Sequence, residues 1–153
     1  MTYDRGMAVL PIVTGANLPV LRRRTKKVTS FTKDLQKLIQ NLLDTVHRAE
    51  GAGLAAPQIG ISERVTVARI GEEFIPLVNP EILWKSEQIV LGEEGCLSLP
   101  NVWLNVPRST DIILRYVDVK GKEFEKKLSG FDARVVQHEV DHLDGVLIVD
   151  YQS

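Results

Sequence analysis

Two of the chain's three histidines stand four residues apart in "QHEVDHLDG", residues 137 to 145, with an acid directly after the first. On an α-helix successive side chains turn by about 100°, so His138 and His142 face the same way one turn apart and two imidazoles could share one ion. Glu139 lies about 100° round from His138, off the ligand plane yet within reach of a water beside a metal, as a general base requires. The same order of residues also occurs on ordinary polar helices, so the metal reading needs a third ligand.

Downstream the choices are poor. Only residues 143 to 153 follow His142, which leaves little chain for the distant glutamate that thermolysin-like sites use. Ile148 stands where H-E-x-x-H-x-x-G-x-x-H would put a third histidine. Asp144 points about 200° away from His142, and Asp150 returns to the site only if the chain reverses after Gly145. Upstream, Cys96 in "GEEGCLSLP" is the strongest candidate. A thiolate beside two imidazoles suits a first-row transition metal, and three protein ligands leave a fourth position open for water, the catalytic pattern. As the chain's single cysteine it cannot form an internal disulfide, and its type also fits a small buried hydrophobe.

A third stretch, "GAGLAAPQIG" over residues 51 to 60, satisfies G-x-G-x-x-A formally. A dinucleotide site needs a strand before this pattern and a helix after it, whereas here a helical pattern precedes it and Pro57 follows. A tight loop of small residues, which lets another backbone come close, fits better. The amide of Gln58 is then either a structural hydrogen-bonder or a donor to a developing negative charge.

The elements that must position these groups can be read from periodicity. In "TKDLQKLIQNLLDTVHRAEG", Leu35, Leu38, Ile39, Leu42, Leu43 and Val46 form one helical stripe with Gly51 past its end, and His47 at the stripe's edge is expected to be partly exposed. Strands are expected in "RVTVARI", "FIPLVNPEIL", "EQIVLG", "TDIILRYVDV" and "KEFEKKL", with a hairpin turn at "VKGK". The histidine helix opens at "SGFD", where Ser129 and Asp132 read as a capping pair, and closes at Gly145. Phe131, Val135, Val136, Val140 and Leu143 make it apolar nearly all round, so it should be buried against sheet. The expected fold is α+β: antiparallel β-sheets wrapping a central buried helix that carries the H-E-x-x-H motif.

With 153 residues the chain suits a single domain over 1–153. It is 44% hydrophobic, and 19 basic against 20 acidic residues leave a net charge of −1, which gives no electrostatic case for nucleic acid or membrane. The basic run "LRRRTKK" at residues 21 to 27 reads as a solvated face. No apolar run approaches a membrane span, and "MTYDRGMAVLPIV" lacks the features of a secretion signal, so a cytoplasmic location is expected.

Taken together, "GAGLAAPQ", "EEGCLS" and "QHEVDHLDG", in this order and spacing, resemble the three signature motifs of the peptide deformylases, and "VNPEI", "VPR" and "GFDARVVQHE" resemble the sequence between them. The resemblance implies removal of the formyl group from N-terminal formyl-methionine, with N-formyl-methionyl nascent chains as substrate. It also implies ferrous iron as cofactor, replaceable by Zn2+, Ni2+ or Co2+. Carried onto matching positions, it makes Cys96, His138 and His142 the metal ligands and Glu139 the proton acceptor. Gln58 and the backbone amide of Leu97 become the oxyanion donors. Ala52, Gly53 and Gly95 would hold the peptide as an added strand, and Glu94, Phe131 and Val135 would lie near a methionine pocket, with Glu94 and Arg108 paired across it. A monomer with transient ribosome contact is expected. Many members extend beyond the metal helix into a C-terminal helix, whereas "LIVDYQS" ends this chain, so the resemblance does not carry over any docking attributed to that helix. A metallopeptidase using the same helix and a metal-bearing peptide-binding module are the competing readings. The first lacks downstream ligands, and the second would be favoured only if a ligand, Glu139 or Gln58 were replaced.

Overall fold

The computed structural model describes residues 9–152, so most of the stretch examined for a secretion signal, residues 1 to 8, lies outside the described residues. Among these residues three α-helices, α1 (Pro19–Arg22), α2 (Lys33–Ala49) and α3 (Gly130–Leu143), accompany seven strands. The strands are β1 (Gly53–Ala55), β2 (Val65–Ile70), β3 (Glu73–Lys85), β4 (Ile89–Cys96), β5 (Leu99–Ser109), β6 (Asp111–Val117) and β7 (Glu123–Ser129). Five form one antiparallel sheet in the order β1-β2-β3-β6-β7, and β4 and β5 form a separate antiparallel pair. The mixed α and β architecture with antiparallel sheets agrees with the expectation.

The run "RVTVARI" shows why helices lie on both faces of the large sheet. Val65, Thr66, Val67 and Ala68 are all fully buried, and side chains alternate faces along a strand. Val65 and Val67 pack with Leu35, Leu38, Ile39, Leu42 and Val46 of α2. Ala68, Leu77, Ile112, Leu114 and Leu128 pack instead with Ala133, Val135, Val136 and Val140 of α3. The α2 stripe is thus buried as its periodicity demands, with Leu43 partly buried at its margin and His47 exposed, edge-on to Phe74. Helix α3 touches strands of both sheets. Gly145, at φ 78, ends it as expected, because its αL conformation suits glycine and because a Cβ there would lie 2.4 Å from the Arg22 carbonyl oxygen.

Three local expectations need correction. Ser129 occupies the N-cap position of α3 without capping it: its hydroxyl donates to Asp111 Oδ1 at 2.5 Å, while Asp132 accepts from the backbone of Gly71. Tertiary partners have outcompeted the capping box. Phe131 is 62% exposed, because the first turn of α3 projects past the sheet into a cleft. Strand β5 was not expected, since "LPNVWLNVPRS" carries two prolines and two asparagines. The register slips there from Gly95↔Trp103 to Cys96↔Leu99, leaving residues 100 to 102 as a bulge with Asn101 at φ 67. The turn at "VKGK" does form: Asp118 accepts from the backbone of Lys120 and Lys122, and Gly121 has φ 86.

Candidate metal centre

Helix α3 brings His138 and His142 to the same side, and the end of β4 delivers Cys96 to them. One ligand-type atom from each lies within 4.8 Å of the other two, and Cys96 Sγ is 3.3 Å from His142 Nε2. His138 Nδ1 is 2.9 Å from Glu94 Oε1, which leaves Nε2 as the nitrogen free for the cluster. A carboxylate on the far nitrogen of an imidazole is the arrangement that orients metal-binding histidines. Sulfur, nitrogen and nitrogen at this spacing fit a transition-metal ion. Asp150 is engaged elsewhere, with Arg22 and the backbone of Leu147, and Asp144 pairs with Arg64, so neither competes.

Protonation follows from burial and neighbours. For His142, burial and then repulsion from His138 and Arg108 push the pKa well down, so it is neutral and ready to ligate. For His138, burial alone would do the same, but the hydrogen bonds to Cys96 and Glu94 and the charge of Glu139 overcome it and push it up to about 10. Metal binding there would therefore release a proton. Glu139 is buried with Oε1 unpartnered, and burial pushes its carboxyl up to about 7. A buried, orphaned carboxyl oxygen beside a group that could hold a metal is placed to exchange protons.

Gln58 reaches the cluster from the 3₁₀ turn Ala56–Ile59. The backbone N–H of Ala55 donates to its Oε1 at 3.0 Å, turning Nε2 toward Ser98 Oγ at 3.1 Å and Cys96 Sγ at 3.8 Å. The "GAGLAAPQ" stretch follows α2 and contains the short β1 and most of this turn, an arrangement without the strand and helix of a dinucleotide site. Its glycine has a definite use: a Cβ on Gly53 would lie 2.5 Å from Glu139 Oε2, so only glycine lets β1 pass so close to that carboxyl.

A cavity of about 470 Å³ opens onto the cluster. Ala52, Gly53 and Gln58 line one side, residues 93 to 97 the other, and Phe131, Val135, His138 and Glu139 come from α3. Of the site residues singled out from sequence, His142 and Arg108 do not line it; His142 is 2% exposed and meets Cys96 behind the cavity surface. Arg108 is 3% exposed and lies beneath the cavity, where Nε and Nη2 donate to the two oxygens of Glu94 at 2.9 and 2.8 Å and Nη1 donates to Asp141 at 2.5 Å. Tyr151 donates to the same Asp141 oxygen at 2.6 Å, with the Arg108 guanidinium over its ring. Burial would raise the Glu94 carboxyl, but Arg108 and His138 reverse this and hold it down at about 2. Glu94 and Arg108 thus pair, but from the cavity wall to the layer behind it rather than across the cavity, because desolvated charges are held where their hydrogen bonds are complete. Sequence reasoning missed Asp141, Tyr151 and Arg134, whose partners lie far away along the chain, and Trp103, whose ring covers Gly95.

A family model described as polypeptide deformylase matches residues 9–153. The peptide deformylase of Thermotoga maritima is 46% identical over 132 residues, covering 86% of this chain and 80% of that protein. The peptide deformylase of Natranaerobius thermophilus is 45% identical over 145 residues, covering 94% and 92%. Among solved structures, the T. maritima peptide deformylase superposes with a TM-score of 0.91 at 43% identity, covering 95% of this chain and 98% of that one. A Met-Ala-Ser-bound class I type b peptide deformylase from Acinetobacter baumannii gives 0.89 at 34% identity, covering 94% and 98%.

Proposed function

The chain belongs to the polypeptide deformylase family, an enzyme that removes the N-terminal formyl group, and from that premise we propose which residues perform the reaction and on what substrate. The observation that carries the assignment is the meeting of Cys96, His138 and His142 beside a buried Glu139 and an aimed Gln58 amide. Cys96, His138 and His142 hold a divalent metal; we assign ferrous iron, with Zn2+, Ni2+ or Co2+ as substitutes. Such an ion supplies Lewis acidity and an acidified water at the reaction centre.

Glu139 accepts a proton as water attacks the formyl carbon and returns it to the departing amine, giving formate and a free N-terminus. Gln58 Nε2 and the backbone N–H of Leu97 donate to the oxyanion. The peptide lies as an added strand between the edges of β1 and β4, against Ala52, Gly53 and Gly95. The methionine side chain is received near Glu94, Phe131 and Val135. We read α3 as the central helix round which both sheets gather, in one domain spanning 1–153. No helix among the described residues is long and apolar enough to cross a membrane. Cytoplasmic action as a monomer, with transient ribosome contact, completes the reading.

The Acinetobacter relative binds Met-Ala-Ser, which is what formyl-Met-Ala-Ser leaves once the formyl group is gone. The test is to offer the metal-loaded protein formyl-Met-Ala-Ser, acetyl-Met-Ala-Ser and an unblocked peptide. Rapid formate release with little acetate and no internal cleavage is expected. The acetyl methyl adds bulk beside the small-residue loop and makes the carbonyl carbon less electrophilic; bulk alone would discriminate by only ~1–3 kcal/mol. Internal cleavage without formate would identify a metallopeptidase, and binding without turnover a peptide-binding module.

A further inference from the structure

The three ligands belong to two pieces of structure that no backbone ladder joins. Cys96 ends β4 in the two-stranded sheet, whereas His138 and His142 ride on α3 against the five-stranded sheet. Their relative placement therefore depends on side chains that cross the gap. Among these, Arg134 makes an unusual set of contacts. From the second turn of α3 its Nη2 donates to the carbonyl of Val90 at 2.7 Å, and its Nη1 donates to the carbonyl of Val106 at 3.0 Å and to Glu94 Oε2 at 2.6 Å. The Gly92 carbonyl lies 3.5 Å from the same Nη1. One guanidinium thus grips both strands of the hairpin and the carboxylate that orients His138. It fits because position 92 has no side chain: a Cβ there would lie 2.7 Å from Arg134 Cζ and 2.9 Å from Nη2. Five donors in a rigid plane can do this, and a single ammonium cannot.

We propose that Arg134 and Gly92 form a matched pair that sets the distance between Cys96 and the two histidines, making Arg134 a positioning residue for the metal ligands. The hairpin is located on α3 by the Arg134 fork, and Glu94, fixed by Arg134 and Arg108 together, presents one orientation to His138 Nδ1. Without the fork, Glu94 keeps Arg108, so the fold and the Glu94 charge survive while the hairpin gains freedom to shift.

This inference rests on the metal reading above, and its test separates the two. Wild type, Arg134→Met, Arg134→Lys, Gly92→Ala and the double variant Gly92→Ala/Arg134→Met are loaded with Co2+. The thiolate-to-cobalt absorption and the rate of Co2+ loss to excess chelator are recorded beside the thermal midpoint. Arg134→Met keeps an unbranched apolar stem and removes the donors, so cobalt loss should speed up by about 10- to 100-fold, the range typical of groups that support metal ligands, with a shifted visible band. Arg134→Lys should recover only part of this. Gly92→Ala should displace the guanidinium and reproduce the Arg134→Met rate, and the double variant should be no faster than either single one, because both break one contact. Cobalt loss and spectra unchanged in Arg134→Met, or effects of the two substitutions that multiply, would overturn the proposal even if the thermal midpoint fell. Failure of the wild type to bind Co2+ would overturn the metal reading and this inference with it.

Discussion

Two interfaces of the molecule, the large sheet against α2 and α3 against the β4–β5 hairpin, are held by different forces. Between the sheet and α2, Leu42, Val46, Leu54, Val65, Val67 and Val78 are fully buried and wholly apolar. Between α3 and the β4–β5 hairpin lie Glu94, Arg108, Arg134, Gln137, Asp141 and His138, bonded to one another or to backbone. Apolar packing is non-directional and tolerates small slips, while ion pairs and hydrogen bonds fix angle and distance but incur the cost of desolvation. The first region is built for free energy of folding. The second gives up part of that energy to fix where a few atoms stand.

The largest effect that sharpens this contrast comes from Glu139→Gln. The substitution keeps the size of the side chain and loses the proton acceptor, so turnover should fall by ~10²–10⁴-fold with metal content unchanged, measured by formate release and elemental analysis. A variant within a few-fold of wild type would remove Glu139 from the mechanism. Next comes Leu42→Ala in the apolar layer, with an expected loss of ~2–5 kcal/mol in urea unfolding. The cobalt spectrum of the folded variant should match wild type. A shifted spectrum would break the division of labour, because it would mean that the apolar layer also sets ligand geometry.

The smallest expected effect lies at the outer edge of the charged layer, where Asp150 takes a two-point hydrogen bond from Arg22 and steadies the 3₁₀ turn Ile148–Tyr151. The Arg22 hydrogen bond, against some burial, lowers the Asp150 pKa below 3.8. A lowered carboxyl contributes stability above its unfolded value and loses it as pH falls through the folded one. Asp150→Asn should therefore lower stability by only ~0.2–1 kcal/mol at neutral pH, since the pair is partly exposed. That gap should close as the pH drops below about 4, as followed by thermal melts. A gap that widens in acid would assign the effect to some other group.

What the sequence disclosed divides along the same line. The α2 stripe, most strands and the shared face of His138 and His142 were legible because each is a pattern of neighbours: 3.6-residue periodicity, alternation, or two histidines one turn apart. Strand β5 was hidden because Pro100, Asn101, Asn105 and Pro107 interrupt the alternation, and the bulge that makes them tolerable depends on β4. Ser129 and Asp132 carried the signature of a local cap, yet each found a better partner from a distant strand or turn. Arg134 left no local trace, since its partners are carbonyls and a carboxylate roughly 30 to 40 residues upstream.

Strand β3 pairs directly with β6, so the chain leaves the sheet after Lys85 and rejoins it at Asp111. The base of this excursion is tied by Ser86 N–H to the Asp111 carbonyl at 2.9 Å and by Thr110 N–H to the Gln88 carbonyl at 3.0 Å. Everything between, including Cys96, is an arm whose stems are already joined by the sheet. Closing it onto α3 then costs the conformational entropy of one short excursion from a fixed base rather than that of a free chain. The connectivity of the strands thus allows the thiol to close onto the histidines from a base that the sheet already holds.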